Sequence, residues 1–163
     1  NRGVAYAGEG KYDRAMRIQS LGAPKTAQAV LSGTTLFSKA TRILIDAMRA
    51  AGVRRLVTVT GLGAGDSRGR GNFFYHAIMF PLVLKRVYDD KDVQEQMIRA
   101  SGLEWTIARP GLLTSGPTTG RMRVLADPKD WGSGSVSRAD VADFLVREVF
   151  ERGYVGKTPL LIQ

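Results

Sequence analysis

The stretch from Tyr88 to Gly120, YDDKDVQEQMIRASGLEWTIARPGLLTSGPTTG, decides the fold. It reads as a helix carrying Lys91 on its first turn and ending at Gly102. A buried strand, Glu104–Ala108, follows. Arg109-Pro110-Gly111 then opens a loop rich in Gly, Thr and Ser. Open α/β sheets bind ligands outside the carboxyl ends of their strands, where a strand breaks into such a loop. A lysine delivered to that rim points to a polar ligand, such as a ribose or a phosphate.

The same plan recurs on either side. Thr35–Ala51 has apolar residues at 36, 40, 43, 44, 47, 48 and 51, the spacing of a helix with one buried face. Thr34 or Thr35 can cap its start and Gly52 its end. The strand Arg55–Thr60 follows. Further on, Ser137-Arg138-Ala139-Asp140 resembles a capping box with Asp in place of Glu. It starts a helix that carries Val141, Phe144, Leu145 and Val149 on one face and ends at Gly153. A short strand lies near Pro159–Ile162. Helix, glycine and β-rich run in succession define an α/β domain with a largely parallel sheet. Further strands are expected near Arg17–Leu21 and Met122–Leu125. The loops Gly22–Gly33, Gly61–Asn72 and Gly111–Gly134 then share one rim, the expected site.

Composition bounds the function. A chain of 163 residues with 44% hydrophobic residues can bury a core as one domain. With no cysteine there is no disulfide or thiolate chemistry, and one histidine, His76, makes a histidine-rich metal site implausible. No signal-peptide pattern opens the chain. The longest apolar run, Phe73–Leu84, is short of the ~20 residues that span a bilayer. A cytoplasmic protein is expected. The net charge of +9 raises nucleic acid as a partner. The basic residues are scattered, however, and Asp89-Asp90-Lys91-Asp92 mixes both signs. A surface that attracts anions, including phosphorylated cofactors, fits better.

Several motifs carry chemistry. In Val57–Gly65 (VTVTGLGAG) a strand runs into a glycine-rich loop that lets a ligand approach the backbone, with the Thr60 hydroxyl at the strand's end. The plainer reading is a strand-to-helix connection. Tyr88 and Lys91 lie three apart and share a helix face. A lysine beside a tyrosine lowers its pKa and can hold ribose hydroxyls. On spacing alone, a solvated helix start with ordinary charge pairing explains them as well. Arg109-Pro110-Gly111 could seat a planar cofactor ring or simply terminate a strand. The aromatic run from Phe73 to Pro81, with His76 inside it, reads as pocket wall, subunit contact or core. Trp105 and Phe144 are core residues.

Three segments together resemble the atypical short-chain dehydrogenase/reductase group with NmrA-like and NAD(P)H-binding members, including NADH-flavin reductase-like and biliverdin reductase B-like proteins. They are TTLFSKATRILIDAMRAAGVRRLVTVTGLGAG, KDVQEQMIRASGLEWTIARPGLLTSGPTTG and SRADVADFLVREVF. The resemblance runs over residues 18–163 and leaves residues 1–17 as an unplaced arm. It implies a Rossmann-like domain with helices on both faces of the sheet, binding NADP or NAD. Leu21 and Gly22 would follow the fourth strand and pass the cofactor. Thr60 and Gly61 would end the fifth strand near the nicotinamide, with Thr60 and Lys91 as catalytic residues. Lys91 matches the residue facing the nicotinamide ribose. Pro110, Gly111, Leu112 and Leu113 match the turn beside the ring.

Two departures stand out. Tyr88 is one residue too close to Lys91 for a Tyr-x-x-x-Lys pair. The family's first three strands and glycine-rich phosphate loop have no counterpart here, so the segment corresponds to the C-terminal two thirds of such a domain. The expected activity is hydride transfer from NAD(P)H to a small planar acceptor such as a flavin or quinone, by a monomer or homodimer. The alternatives are a non-catalytic NAD(P) sensor and an NAD-using dehydratase or epimerase.

Overall fold

A computed structural model describes residues 35–67 and 81–163. The expected strand near Arg17–Leu21, the positions of Leu21 and Gly22, and most of the aromatic run with His76 lie outside the described residues. Helix α1 spans Leu36–Ala50 and strand β1 Arg55–Val59. Helix α2 spans Pro81–Arg99 and strand β2 Glu104–Pro110. Short strands β3 (Leu112–Thr114), β4 (Arg123–Leu125) and β5 (Ser135–Ser137) follow. Helix α3 (Arg138–Glu151) and strand β6 (Leu160–Ile162) complete the order.

The main sheet runs β1-β2-β6-β4. β1, β2 and β6 are parallel, with Arg55 opposite Glu104 and Arg109 opposite Leu160, and β4 closes the edge antiparallel to β6. β3 and β5 form a separate parallel pair. Strand side chains alternate between faces, and the core divides accordingly. Leu56 and Ile107 pack with Met48 of α1 and Ile98 of α2 on one face. Val59, Ala108 and Leu161 pack with Val141 and Phe144 of α3 on the other. The helices therefore cover both faces of a largely parallel sheet, as the sequence predicts.

Several local expectations are corrected. Lys91 sits in the middle of α2, not on its first turn, because that helix already begins at Pro81. β2 continues through Arg109 and Pro110, so these residues are strand rather than turn. The ladder tolerates the proline because the amides on either side carry it: Arg109 donates to Pro159 and Gly111 to Leu161. Of the two threonines expected to cap α1, Thr34 lies outside the described residues. Thr35 occupies the cap position without a side-chain bond. The carboxylate of Asp90 does the work from α2, accepting the Phe37 amide at 2.8 Å. The face that α1 buries is Thr41, Ile45 and Met48, while Ile43 and Leu44 lie on its exposed flank. α3 ends at Glu151, two residues before Gly153, with Arg152 in the left-handed region.

Ser137 caps α3, its hydroxyl accepting the Asp140 amide at 2.9 Å, but the Asp140 carboxylate accepts that hydroxyl at 2.8 Å rather than the Ser137 amide of a capping box. Phe144 is buried, and Trp105 is half-buried against the α2-side cluster.

Candidate functional site

The alternation of β1 and β2 sends two polar side chains to one place. Thr60, just past β1, has the parity of Leu56, and Arg109 has the parity of Ile107; both therefore face α2. Glu95 of α2 meets them. Its Oε1 accepts the Thr60 hydroxyl at 2.7 Å and Arg109 Nε at 3.1 Å, while its Oε2 accepts Arg109 Nη2 at 2.5 Å. Arg109 is wholly buried and Glu95 is 1% exposed. The Arg109 guanidinium also lies 5.2 Å from the centre of the Trp131 ring, a cation–π distance.

Lys91, one helical turn before Glu95, grips the same strand end from the other side. Its ammonium donates to the Thr60 carbonyl at 2.8 Å and stands 4.8 Å over the Phe37 ring. Burial lowers the Lys91 pKa, and the carboxylates of Glu95 and Asp90 oppose that shift. Tyr88 reaches the loop as well, donating to the Leu62 carbonyl at 3.2 Å. Burial raises its pKa. The two residues share a face as their spacing predicts, but the tyrosine is not activated.

The loop after β1 is shaped around these groups. Gly65 has a φ of +55°, and a Cβ there would come within 2.5 Å of Glu95 Oε2 and 2.7 Å of Arg109 Nη2. Only glycine satisfies both the conformation and the space. Its amide donates to Asp92 at 2.7 Å, and the Gly63 amide donates to the Ser67 hydroxyl at 2.9 Å. Those amides serve the protein itself and do not cradle a phosphate. Gly61 differs: a Cβ at that position would meet no atom of the described residues within 4 Å.

Gly111 lies at the end of the neighbouring strand, next to Pro110, whose carbonyl accepts the Leu62 amide at 3.2 Å. A Cβ on it would overlap the Gly134 carbonyl and sit 3.0 Å from Ile162 Cγ2, so its missing side chain lets the β3–β5 pair approach β6. Pro110 is buried in the strand, whereas Leu112 and Leu113 are 61% and 38% exposed beyond it. Thr60, Gly61 and Lys91 thus converge at one strand end. Pro110 and Gly111 end the adjacent strand, with the Leu62 amide bonded to the Pro110 carbonyl at 3.2 Å, and the two leucines project beyond it. An open cleft of about 350 Å³ beside Glu95 is lined by Gly65, Asp92, Gln96 and Arg99, and includes neither Thr60 nor Lys91.

Sequence reading missed Glu95, Asp90 and Asp92. The available signal was the spacing of Lys91 and Glu95, four apart on one helix face, set against the parity of Thr60 and Arg109. A third polar cluster lies on the other face. Glu148 of α3, 2% exposed, accepts Arg55 Nη2 at 2.7 Å, the Thr106 hydroxyl at 3.0 Å and the Tyr154 amide at 2.9 Å. It braces the opposite end of β1.

A parallel sheet with helices on both faces and a polar cluster at the carboxyl ends of its strands defines a Rossmann-like domain. A putative NAD-dependent epimerase/dehydratase from Bacillus halodurans shares that fold, with a TM-score of 0.65 and 22% identity over 87% of this chain and 60% of that one. The chain belongs to the NAD(P)H-binding family, whose sequence model matches residues 15–152. NADP or NAD is therefore its cofactor class.

Among curated relatives, the uncharacterized sugar epimerase YhfK of Bacillus subtilis is 32% identical over 66% of this chain and 44% of its own length. The match thus spans less than half of that relative. ChuY from Escherichia coli CFT073 is 29% identical, with a TM-score of 0.64 over 77% of this chain and 60% of that one. A short-chain dehydrogenase/reductase of Veillonella parvula, solved in complex with NADP, has a TM-score of 0.62 at 16% identity, covering 77% of this chain and 58% of that one.

The described residues fit one end of such a cofactor. Lys91 offers an ammonium with three donors, one of them used by Thr60. Gly61 offers open space beside it. Among the described residues, the glycine loop offers no cradle for the pyrophosphate, because its Gly63 and Gly65 amides are engaged.

Proposed function

We propose that the protein is an NAD(P)H-dependent oxidoreductase of the short-chain dehydrogenase/reductase type that passes hydride to a small planar acceptor such as a flavin or quinone. The observation that carries this reading is the pairing of Lys91 with an unactivated Tyr88. Lys91 is held at the strand end, where it can take ribose hydroxyls. Tyr88 is bonded to the Leu62 carbonyl with its pKa raised by burial, the opposite of what a tyrosine acid or base requires. Bound NAD(P)H supplies the hydride. The chain supplies orientation: Lys91 holds the ribose side, the open space at Gly61 admits the cofactor, and exposed Leu112 and Leu113 offer an apolar wall to a flat acceptor. Chemistry of this kind rests on proximity more than on proton transfer by the protein.

The rival reading is an NAD-using epimerase or dehydratase, which the name of the Bacillus relative raises. Such chemistry needs an acid–base residue at the reacting carbon. A structural neighbour from Escherichia coli O157:H7 is an anaerobilin reductase, so reduction is among the activities found on this fold. An NmrA-like sensor that binds cofactor without turnover needs no acid either and is separated from a reductase by turnover alone. The reductase reading places the protein in the cytoplasm, acting on a small molecule as a monomer or homodimer. Among the described residues, no helix is long and apolar enough to cross a membrane.

Tyr88→Phe separates the catalytic readings. A reductase of this kind retains its turnover within a few fold. Loss of roughly 10²–10⁴ in kcat, the contribution of general acid–base catalysis, would assign Tyr88 an acid's role and favour the epimerase or dehydratase.

A further inference from the structure

We infer that the buried Glu95–Arg109 pair is a positioning device for Lys91, acting through Thr60. The inference rests on the reading of Lys91 as the residue that meets the cofactor.

The geometry is a chain of contacts. Lys91 donates to the Thr60 carbonyl at 2.8 Å, the Thr60 hydroxyl donates to Glu95 at 2.7 Å, and Glu95 takes two bonds from Arg109. Thr60 is therefore held at both of its polar ends by α2. Three further observations show the loop built around the pair. Gly65 leaves no room for a Cβ against Glu95 and Arg109, Asp92 fixes the Gly65 amide, and Trp131 covers the guanidinium.

Stability alone does not call for this arrangement. A buried ion pair often stabilises no better than well-packed apolar residues of similar volume. A carboxylate one turn from Lys91 does something an apolar residue cannot: it favours the charged ammonium that burial disfavours. Among the described residues, the groups around Lys91 are Asp90 and Glu95 on its own helix, the Phe37 ring from α1, the Thr60 carbonyl after β1, and, behind Glu95, Arg109 of β2 and Arg99 of α2. Asp90 is committed to the Phe37 and Ser38 amides, so it shares its charge with the start of α1. Glu95 is the carboxylate that also holds the strand end.

The test follows Lys91 directly. Full-length protein carrying ¹³C-labelled lysine is titrated by NMR, with Lys91→Arg identifying the resonance. Glu95→Gln should titrate Lys91 at lower pH than wild type, and NADPH should bind it about tenfold more weakly, the effect of about 1.4 kcal/mol. Because Glu95→Gln leaves Arg109 buried without its carboxylate, the double variant Glu95→Leu/Arg109→Leu is run beside it. This variant removes both charges together. It should keep thermal stability near wild type, yet still titrate Lys91 below wild type, by less than Glu95→Gln because the Arg109 charge is gone as well, and bind NADPH more weakly.

A Lys91 resonance that titrates as in wild type in every variant that folds overturns the inference, whether or not the wild type binds NADPH. A shifted resonance in a protein whose wild type binds no NADPH supports the hold of Glu95 on Lys91 and overturns the functional reading instead.

Discussion

The Lys91 ammonium donates to the main-chain carbonyl of Thr60 at 2.8 Å, across 31 positions of sequence. One cation of α2 is thereby set at the carboxyl end of β1, the edge of a Rossmann-like sheet that meets ligands. Lys91→Ala removes a charge-assisted donor from a half-buried position. We expect NAD(P)H binding to weaken by roughly 1–3 kcal/mol, the scale for such a hydrogen bond. Titration calorimetry reads this, with thermal unfolding as the control for folding. An unchanged affinity removes Lys91 from the site.

Much of the architecture was legible because its signals are local. Gly52 and Gly102 end α1 and α2 with φ of +68° and +72°, as glycine after a helix commonly does. The alternation in β1 and β2 fixes which side chains meet which helix. The Ser137 cap rests on residues three apart, its hydroxyl taking the Asp140 amide. What the sequence hid is long-range. Asp90 caps α1 from 53 positions away, and no local pattern marks it. Glu95 looks like one more charge on a polar helix, yet it is 1% exposed because Arg109 of β2 meets it. Arg109-Pro110-Gly111 has a turn's composition but a strand's geometry. Strand pairing decides this, since β6 supplies acceptors on one side and β1 has already ended on the other.

Gly111 was expected beside the nicotinamide, and its surroundings point to a different cost. A valine Cβ there would overlap the Gly134 carbonyl and press on Ile162. Overpacking of this kind costs typically 1–3 kcal/mol. Gly111→Val should therefore lower the urea midpoint markedly while affinity per folded molecule stays normal. A variant with wild-type stability and no cofactor binding would return Gly111 to the cofactor face.

Acid should loosen the loop that follows β3. Burial raises the Asp140 carboxyl, but bonds from the Thr119 amide and hydroxyl, the Ser137 hydroxyl and the Gly120 amide outweigh it. They hold the pKa at about 2, below the ordinary 3.8. A group with a lowered folded-state pKa binds fewer protons when folded, so its contribution is complete above the unfolded value and is lost as pH falls through the folded one. The Tm advantage of wild type over Asp140→Asn should be constant near neutrality, and should shrink as pH falls from 3.8 toward about 2. A gap that stays constant across that window contradicts the assignment of this carboxylate as ionised and hydrogen-bonded.

The proposed activity is hydride transfer from a nicotinamide cofactor to a planar acceptor. The most direct measurement is oxidation of NADPH and of NADH by the full-length protein, followed with flavin, quinone and biliverdin as acceptors. Cofactor deuterated at the transferring carbon traces the hydride. Saturable turnover is expected with at least one acceptor, at a slower rate with the deuterated cofactor. Cofactor that binds but is never oxidised, with any of the three acceptors, contradicts it and identifies a sensor.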